Sequence, residues 1–188
     1  MLQRELLERV VDALEEIRAP YMVTGAIVSS LQGAPRLTHD IDIVVLLEEP
    51  GLEHLVELFP PEEFYLDRES AVRAVRDGSS FNLIDTREGS KVDFWMLTEE
   101  PFDRSRFARR RAMEVLGMKL VVSSPEDTIL QKLKWAKLSG GSEKQFMDAL
   151  RVYEVQSGKL DIDYLERWAG ELEVKPLLQR LKEEASPV

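Results

Sequence analysis

Asp40-Ile41-Asp42-Ile43-Val44-Val45-Leu46-Leu47 is the stretch on which the reading of this chain turns. In an extended segment Ile41, Ile43, Val45 and Leu47 share one face, and Val44 and Leu46 continue the face that begins with the two acids. Apolar residues on both sides describe a strand buried on both faces, with charge only where it starts. Asp40 and Asp42 are therefore expected at a pocket mouth. They stand about 6.6 Å apart along the strand, a spacing from which carboxylates can converge on ions about 3.5–4 Å apart. An isolated Asp-x-Asp is more often the wet side of an amphipathic strand, which the apolar continuation argues against here.

Upstream, Leu2, Leu6, Val10, Leu14 and Ile17 recur at helical spacing, so residues 2–18 read as an amphipathic helix ended by Pro20. Tyr21-Met22-Val23 follows as a short buried strand running into Thr24-Gly25-Ala26, and a helix is expected from Ile27 to Gln32 before the breaker Gly33-Ala34-Pro35. Thirteen residues then separate Ala26 from Asp40. A glycine at a strand-to-helix turn lets backbone N–H groups approach an anion at the helix N-terminus, although such a glycine can equally serve packing alone.

Downstream, residues 52–59 and 69–76 read as helices, and Phe81–Ile84 and Lys91–Leu97 as strands around the polar turn 85–90. The second of these strands carries Asp93 between Val92 and Phe94. Alone it reads equally as a solvated edge residue. If its strand neighbours that of Asp40 and Asp42, three carboxylates converge, and each pair near 4 Å repels by roughly 4 kcal/mol at an effective dielectric constant of 20. Such a cluster calls for a cation or for proton uptake.

Residues 109–116 and 118–122 form an expected hairpin about Gly117. Ser124-Pro125-Glu126-Asp127 supplies an N-cap serine, a proline at the first helical position and an acid three residues after the cap, predicting a helix over 125–138. Helical periods then return over 143–156, 161–170 and 175–184. The expected organisation is a mixed α/β core over 1–123 and a helical subdomain over 124–188.

Composition narrows the chemistry. The 188 residues include no cysteine and two histidines, so thiolate nucleophiles and zinc–thiolate sites are excluded and any metal must rest on oxygen ligands, which suit hard ions. The longest apolar run, Ile43–Leu47, is far too short to span a membrane, and the N-terminus lacks a signal-peptide pattern, so a cytoplasmic chain is expected. A net charge of −10 opposes tight nonspecific binding to nucleic acid. Against that background Arg104, Arg106, Arg109, Arg110 and Arg111 form a basic knot that either meets RNA or an acceptor or balances local acids. Trp95, Trp135 and Trp168 read as packing residues, with base stacking an alternative for Trp135.

Gly25-Ala26, the run Arg36-Leu37-Thr38-His39-Asp40-Ile41-Asp42 and the later Asp93 resemble the polymerase-beta-like nucleotidyltransferase superfamily over roughly residues 20–155. Ser124-Pro125-Glu126-Asp127, Leu130, Lys132 and Leu133, then Lys144 and Asp148, look like the C-terminal helices of small bacterial and archaeal members, similar to the abortive-infection toxins of toxin–antitoxin systems. Two departures stand out: Ala26 replaces a second Gly or Ser, and Glu143 and Gln145 flank Lys144 where toxin-like members tend to carry an arginine.

The resemblance implies an α/β (α+β) fold, a mixed sheet flanked by helices, and transfer of an NMP group from an NTP such as ATP to an acceptor hydroxyl on tRNA or other RNA, protein or a small molecule. Asp40, Asp42 and Asp93 would be the catalytic carboxylates and hold Mg2+, or Mn2+ in its place. Thr24, Gly25, Ala26, Lys132 and Lys144 would bind the nucleotide, with Arg36 and Thr38 either orienting substrate or pinning their loop. The alternative is a noncatalytic nucleotide-binding, antitoxin-like interaction protein of the same fold.

Overall fold

A computed structural model describes residues 3–35, 38, 40–115 and 117–186. Leu2 of the first apolar stripe, Arg36, Leu37 and His39 before the acid pair, and Leu116 of the expected hairpin lie outside the described residues. The chain runs α1 (Gln3–Glu16), β1 (Tyr21–Thr24), α2 (Gly25–Gln32), β2 (Asp40–Val45), α3 (Glu49–Glu57), β3 (Phe64–Leu66), α4 (Arg68–Asp77), β4 (Ser80–Asp85) and β5 (Lys91–Met96). It continues through α5 (Pro101–Ala108), β6 (Arg111–Val115), β7 (Met118–Val122), α6 (Pro125–Leu138), α7 (Glu143–Val155), α8 (Ile162–Glu171) and α9 (Lys175–Glu184). This is an α/β fold with a helical C-terminal part. No described helix is long and apolar enough to cross a membrane.

The residues divide into two units, one of Met1–Thr24 and Thr38–Val122, the other of Gly25–Leu37 and Ser123–Val188. The first holds a seven-stranded mixed sheet in the order β3-β4-β5-β2-β1-β7-β6. β2 lies parallel to β5 and β1 parallel to β7, and the remaining neighbours are antiparallel. Ile41, Ile43, Val45, Val92, Phe94, Phe81, Leu83 and Val23 are all buried. Phe81 and Phe94 stack across the sheet with centroids 4.9 Å apart. On the other face, Met22 and Val44 pack with Phe107 of α5 and with Leu97, which covers the sheet beyond the two acids and leaves the beginning of β2 open. β2 ends at Val45, short of the expected Leu47, and Leu46 is exposed.

The sequence reading missed β3 and α5. β3 has three residues, of which only Phe64 is buried, too few to show a period. α5 buries Phe102, Arg106 and Phe107, and the arginine interrupts the apolar stripe. Its guanidinium is held by Asp103 over 2.9 Å, a pairing that makes burial tolerable.

The second unit packs α6 against α7 and α8, α2 against α6 and α7, and α9 against α7 and α8. α6 starts as its sequence dictates: Ser124 Oγ accepts from Asp127 N at 3.2 Å, and the helix runs to Leu138. Beneath that start lies a buried polar network. Ser124 Oγ donates to Asp127 Oδ2 and Tyr164 OH to Asp127 Oδ1, each over 2.6 Å, while Asp161 N donates to Glu126 Oε1 over 3.0 Å. Buried polar groups satisfied in this way select one packing over its rivals.

α2 and the Gly33 that follows it pack against α6 and α7. Gln32 Nε2 donates to Ser123 O over 2.7 Å, and Gln156 Nε2 donates to Gln32 O over 2.9 Å. At Gly33 a Cβ would stand 2.8 Å from Val152 N and 2.9 Å from Arg151 C, so only glycine allows this approach to α7. Gly33→Ala is therefore expected to destabilise the protein by about 1–3 kcal/mol, the usual cost of overpacking, which urea unfolding followed by circular dichroism would measure.

Candidate active site

Strand register assembles the acidic residues. Thr24 on β1 is opposite Asp42 on β2, Asp42 is opposite Asp93 on β5, and Asp93 is opposite Asn82 on β4. In-register residues of neighbouring strands share a face, so these four side chains form one row across the sheet, with strands about 4.8 Å apart. The row before it brings Asp40 opposite Lys91, and the row after it brings Val44 opposite Trp95. All three carboxylates thus lie on one face of one sheet. β5 is an interior strand, which overturns the edge-strand reading of Asp93.

Each carboxylate has a different setting. Asp93, with a side chain 14% exposed, accepts from Lys91 Nζ at Oδ2 over 2.8 Å. With its amide nitrogen turned toward it, Asn82 donates to Asp93 Oδ1 over 2.7 Å, the orientation that the hydrogen-bond network requires. Asp42 Oδ1 accepts from Trp95 Nε1 at 3.2 Å. Asp40 is the most open, at 58% side-chain exposure, with Lys91 Nζ 3.9 Å from its Oδ1. The hydrogen bond to Asp93 raises the pKa of Lys91; burial opposes the rise, and the charges of Asp93, Asp40 and Asp42 add to it. The ammonium is thereby held in its charged form at neutral pH.

Among the described residues no group of three or more His, Cys, Asp or Glu side chains is arranged to hold a metal ion. Asp93 is engaged by Lys91 and Asp42 by Trp95. The donor set nevertheless fits a hard divalent ion, being all carboxylate oxygen, and the face already carries a cation in the form of the Lys91 ammonium.

Lys91, Trp95 and Asn82 were missed as site residues. Alternation could have found the first two, because Lys91, Asp93 and Trp95 must share a face once the strand is recognised. Trp95 is not packed away as the sequence reading had it but is 36% exposed, and Trp135 is exposed as well. Asn82 reaches the row only through the pairing of β4 with β5, for which the sequence carries no marker.

Of the other candidates, Thr24 and the arginine knot lie in the first unit, and Gly25, Ala26, Lys132 and Lys144 in the second. Thr24 is buried at the end of β1, and the next residue, Gly25, opens α2 with φ of 70°, a left-handed value that glycine adopts without strain. Gly25 and Ala26 lie in the first turn of a helix, where backbone N–H groups have no intrahelical acceptor. Lys132 is buried and its Nζ stands 2.7 Å from Asp148 Oδ2, whereas Lys144 is exposed on the first turn of α7. In the arginine knot, Arg104 pairs with Glu99, Arg106 with Asp103, and Arg110 lies over the Phe107 ring at 4.1 Å. Those three are engaged locally.

The strand order and flanking helices form a nucleotidyltransferase fold of the polymerase-beta-like kind, shared with solved structures of low sequence identity. Among solved structures, ANT(2")-Ia in complex with adenylyl-2"-tobramycin is similar with a TM-score of 0.60 and 14% identity, over 94% of this chain and 99% of that one. An antigenic nucleotidyltransferase-like protein from Paracoccidioides brasiliensis gives 0.57 and 16% over 97% and 93%. The lincomycin-bound lincosamide antibiotic adenylyltransferase LnuA gives 0.55 and 12% over 79% and 95%. No family model matches the sequence, and no curated protein matches it.

Proposed function

We propose that the protein is a divalent-metal-dependent nucleotidyltransferase that moves an NMP group from an NTP to a hydroxyl of a small molecule. The observation that carries this reading is the in-register pair Asp42 and Asp93, with Asp40 one row away on the same open face. Like charges are not gathered on a sheet without something positive to offset them.

Mg2+ or Mn2+ held by Asp40, Asp42 and Asp93 would neutralise triphosphate charge and make the acceptor hydroxyl more acidic. The acceptor oxygen bonds to the α-phosphorus, the bond from that phosphorus to the pyrophosphate oxygen breaks, and pyrophosphate leaves. Asp93, with a side chain 14% exposed, would take the hydroxyl proton. Thr24, opposite Asp42 in the same row, would place its hydroxyl beside the nucleotide. No side-chain nucleophile is needed, because positioning and charge neutralisation carry phosphoryl-type transfer.

A small acceptor is favoured over RNA on two grounds. The net charge is −10, and Arg104, Arg106 and Arg110 of the knot are engaged by Glu99, Asp103 and Phe107. The likeness in fold to antibiotic adenylyltransferases points the same way.

The test supplies each labelled NTP with Mg2+ and, separately, hydroxyl-bearing antibiotics, total tRNA and total protein. Metal-dependent label on a small molecule is expected. Label on tRNA would keep the reaction and replace the acceptor, and nucleotide binding without transfer to any of them would favour the noncatalytic reading.

A further inference from the structure

Resting on the reading that the acidic face binds a divalent ion, we propose that Lys91 is a built-in counter-ion that competes with that ion for Asp93 and Asp40. The ammonium lies between the two carboxylates, 2.8 Å from Asp93 Oδ2 and 3.9 Å from Asp40 Oδ1. Its place is dictated by register: Lys91 is two residues before Asp93 on β5 and directly opposite Asp40 on β2. A lysine at that point cannot avoid the acids unless its stem swings outward. The stem has room to do so, since the side chain is one-third exposed, and four methylenes give it the rotamers.

An incoming divalent ion needs the Asp93 oxygen that the ammonium now occupies. Ion and ammonium are thus alternative occupants of one anionic place. Without an ion, Lys91 relieves the repulsion that would otherwise weaken the β2–β5 pairing. With an ion, it is released.

The experiment titrates Mn2+ into the chelator-treated full chain and reads free Mn2+ by electron paramagnetic resonance, for the wild type, Lys91→Met and Lys91→Arg. Lys91→Met is expected to bind Mn2+ about tenfold more tightly, and Lys91→Arg, which keeps the charge, to stay near the wild type. In chelator, Lys91→Met should also melt below the wild type and gain more from added Mn2+. A second measurement uses the wild type alone: acetylation of Lys91, followed by mass spectrometry, should accelerate on saturation with Mn2+ as the amine is freed.

Equal Mn2+ affinity in wild type and Lys91→Met, or an acetylation rate unmoved by bound Mn2+, would overturn the counter-ion role and leave the metal reading intact. Failure of wild type and variant alike to bind Mn2+ would overturn both.

Discussion

Asp93→Asn is expected to slow nucleotidyl transfer by about 10³-fold or more while leaving the protein folded. The substitution keeps the shape of the side chain and its place between Val92 and Phe94 on an interior strand, so the buried face of β5 is untouched. The negative charge is lost, and with it, on the proposed mechanism, both an oxygen for the ion and the group that takes the acceptor proton. A metal ion acting on phosphoryl oxygens supplies several kcal/mol, and about 4 kcal/mol is roughly a factor of 10³ in rate. Initial rates of label transfer, read beside a melting curve, separate loss of chemistry from loss of fold. A variant that melts normally and transfers at the wild-type rate would remove Asp93 from the mechanism.

The second large effect concerns stability. Asp148→Ala is expected to destabilise the protein by about 3–5 kcal/mol, because it leaves the buried Lys132 ammonium without the carboxylate that holds it at 2.7 Å. For a chain of this length that corresponds to a fall in Tm on the order of 10 °C. The double variant Lys132→Met with Asp148→Ala should recover most of the loss, since removing both charges also removes the desolvation that the pair offsets. Thermal melts of the two single variants and the double variant form the cycle. A double-variant loss equal to the sum of the two single losses would mean that the two residues act independently.

How much of this was legible in the sequence depends on the range of the interaction concerned. Ser124-Pro125-Glu126-Asp127 announced α6 because an N-cap is a contact among neighbours, and the helix begins and ends where read. α2, by contrast, starts at Gly25 rather than Ile27, because its first residue takes a φ of 70° that no periodicity reveals. α5 was hidden because Arg106 occupies the position that an apolar residue would have marked. Asp42 and Asp93 could be named as candidates, since an acid inside an otherwise apolar strand stands out against its neighbours. Their partners could not be named so readily: Asn82 and the orientation of Trp95 toward Asp42 follow from strand pairing between segments distant in sequence.

The amino-acid sequence by itself determined most of the strands and helices, β3 and α5 excepted, and which residues carry the ionisable chemistry, because both follow from side-chain type and spacing over a few residues. Tertiary structure alone decided that β2 lies parallel to β5 with Asp42 beside Asp93, that Lys91 sits between Asp40 and Asp93, and that α2 packs with α6 and α7. Register and packing partners depend on how apolar faces from remote parts of the chain fit together, and that fit is a property of the assembled sheet and bundle rather than of any one segment.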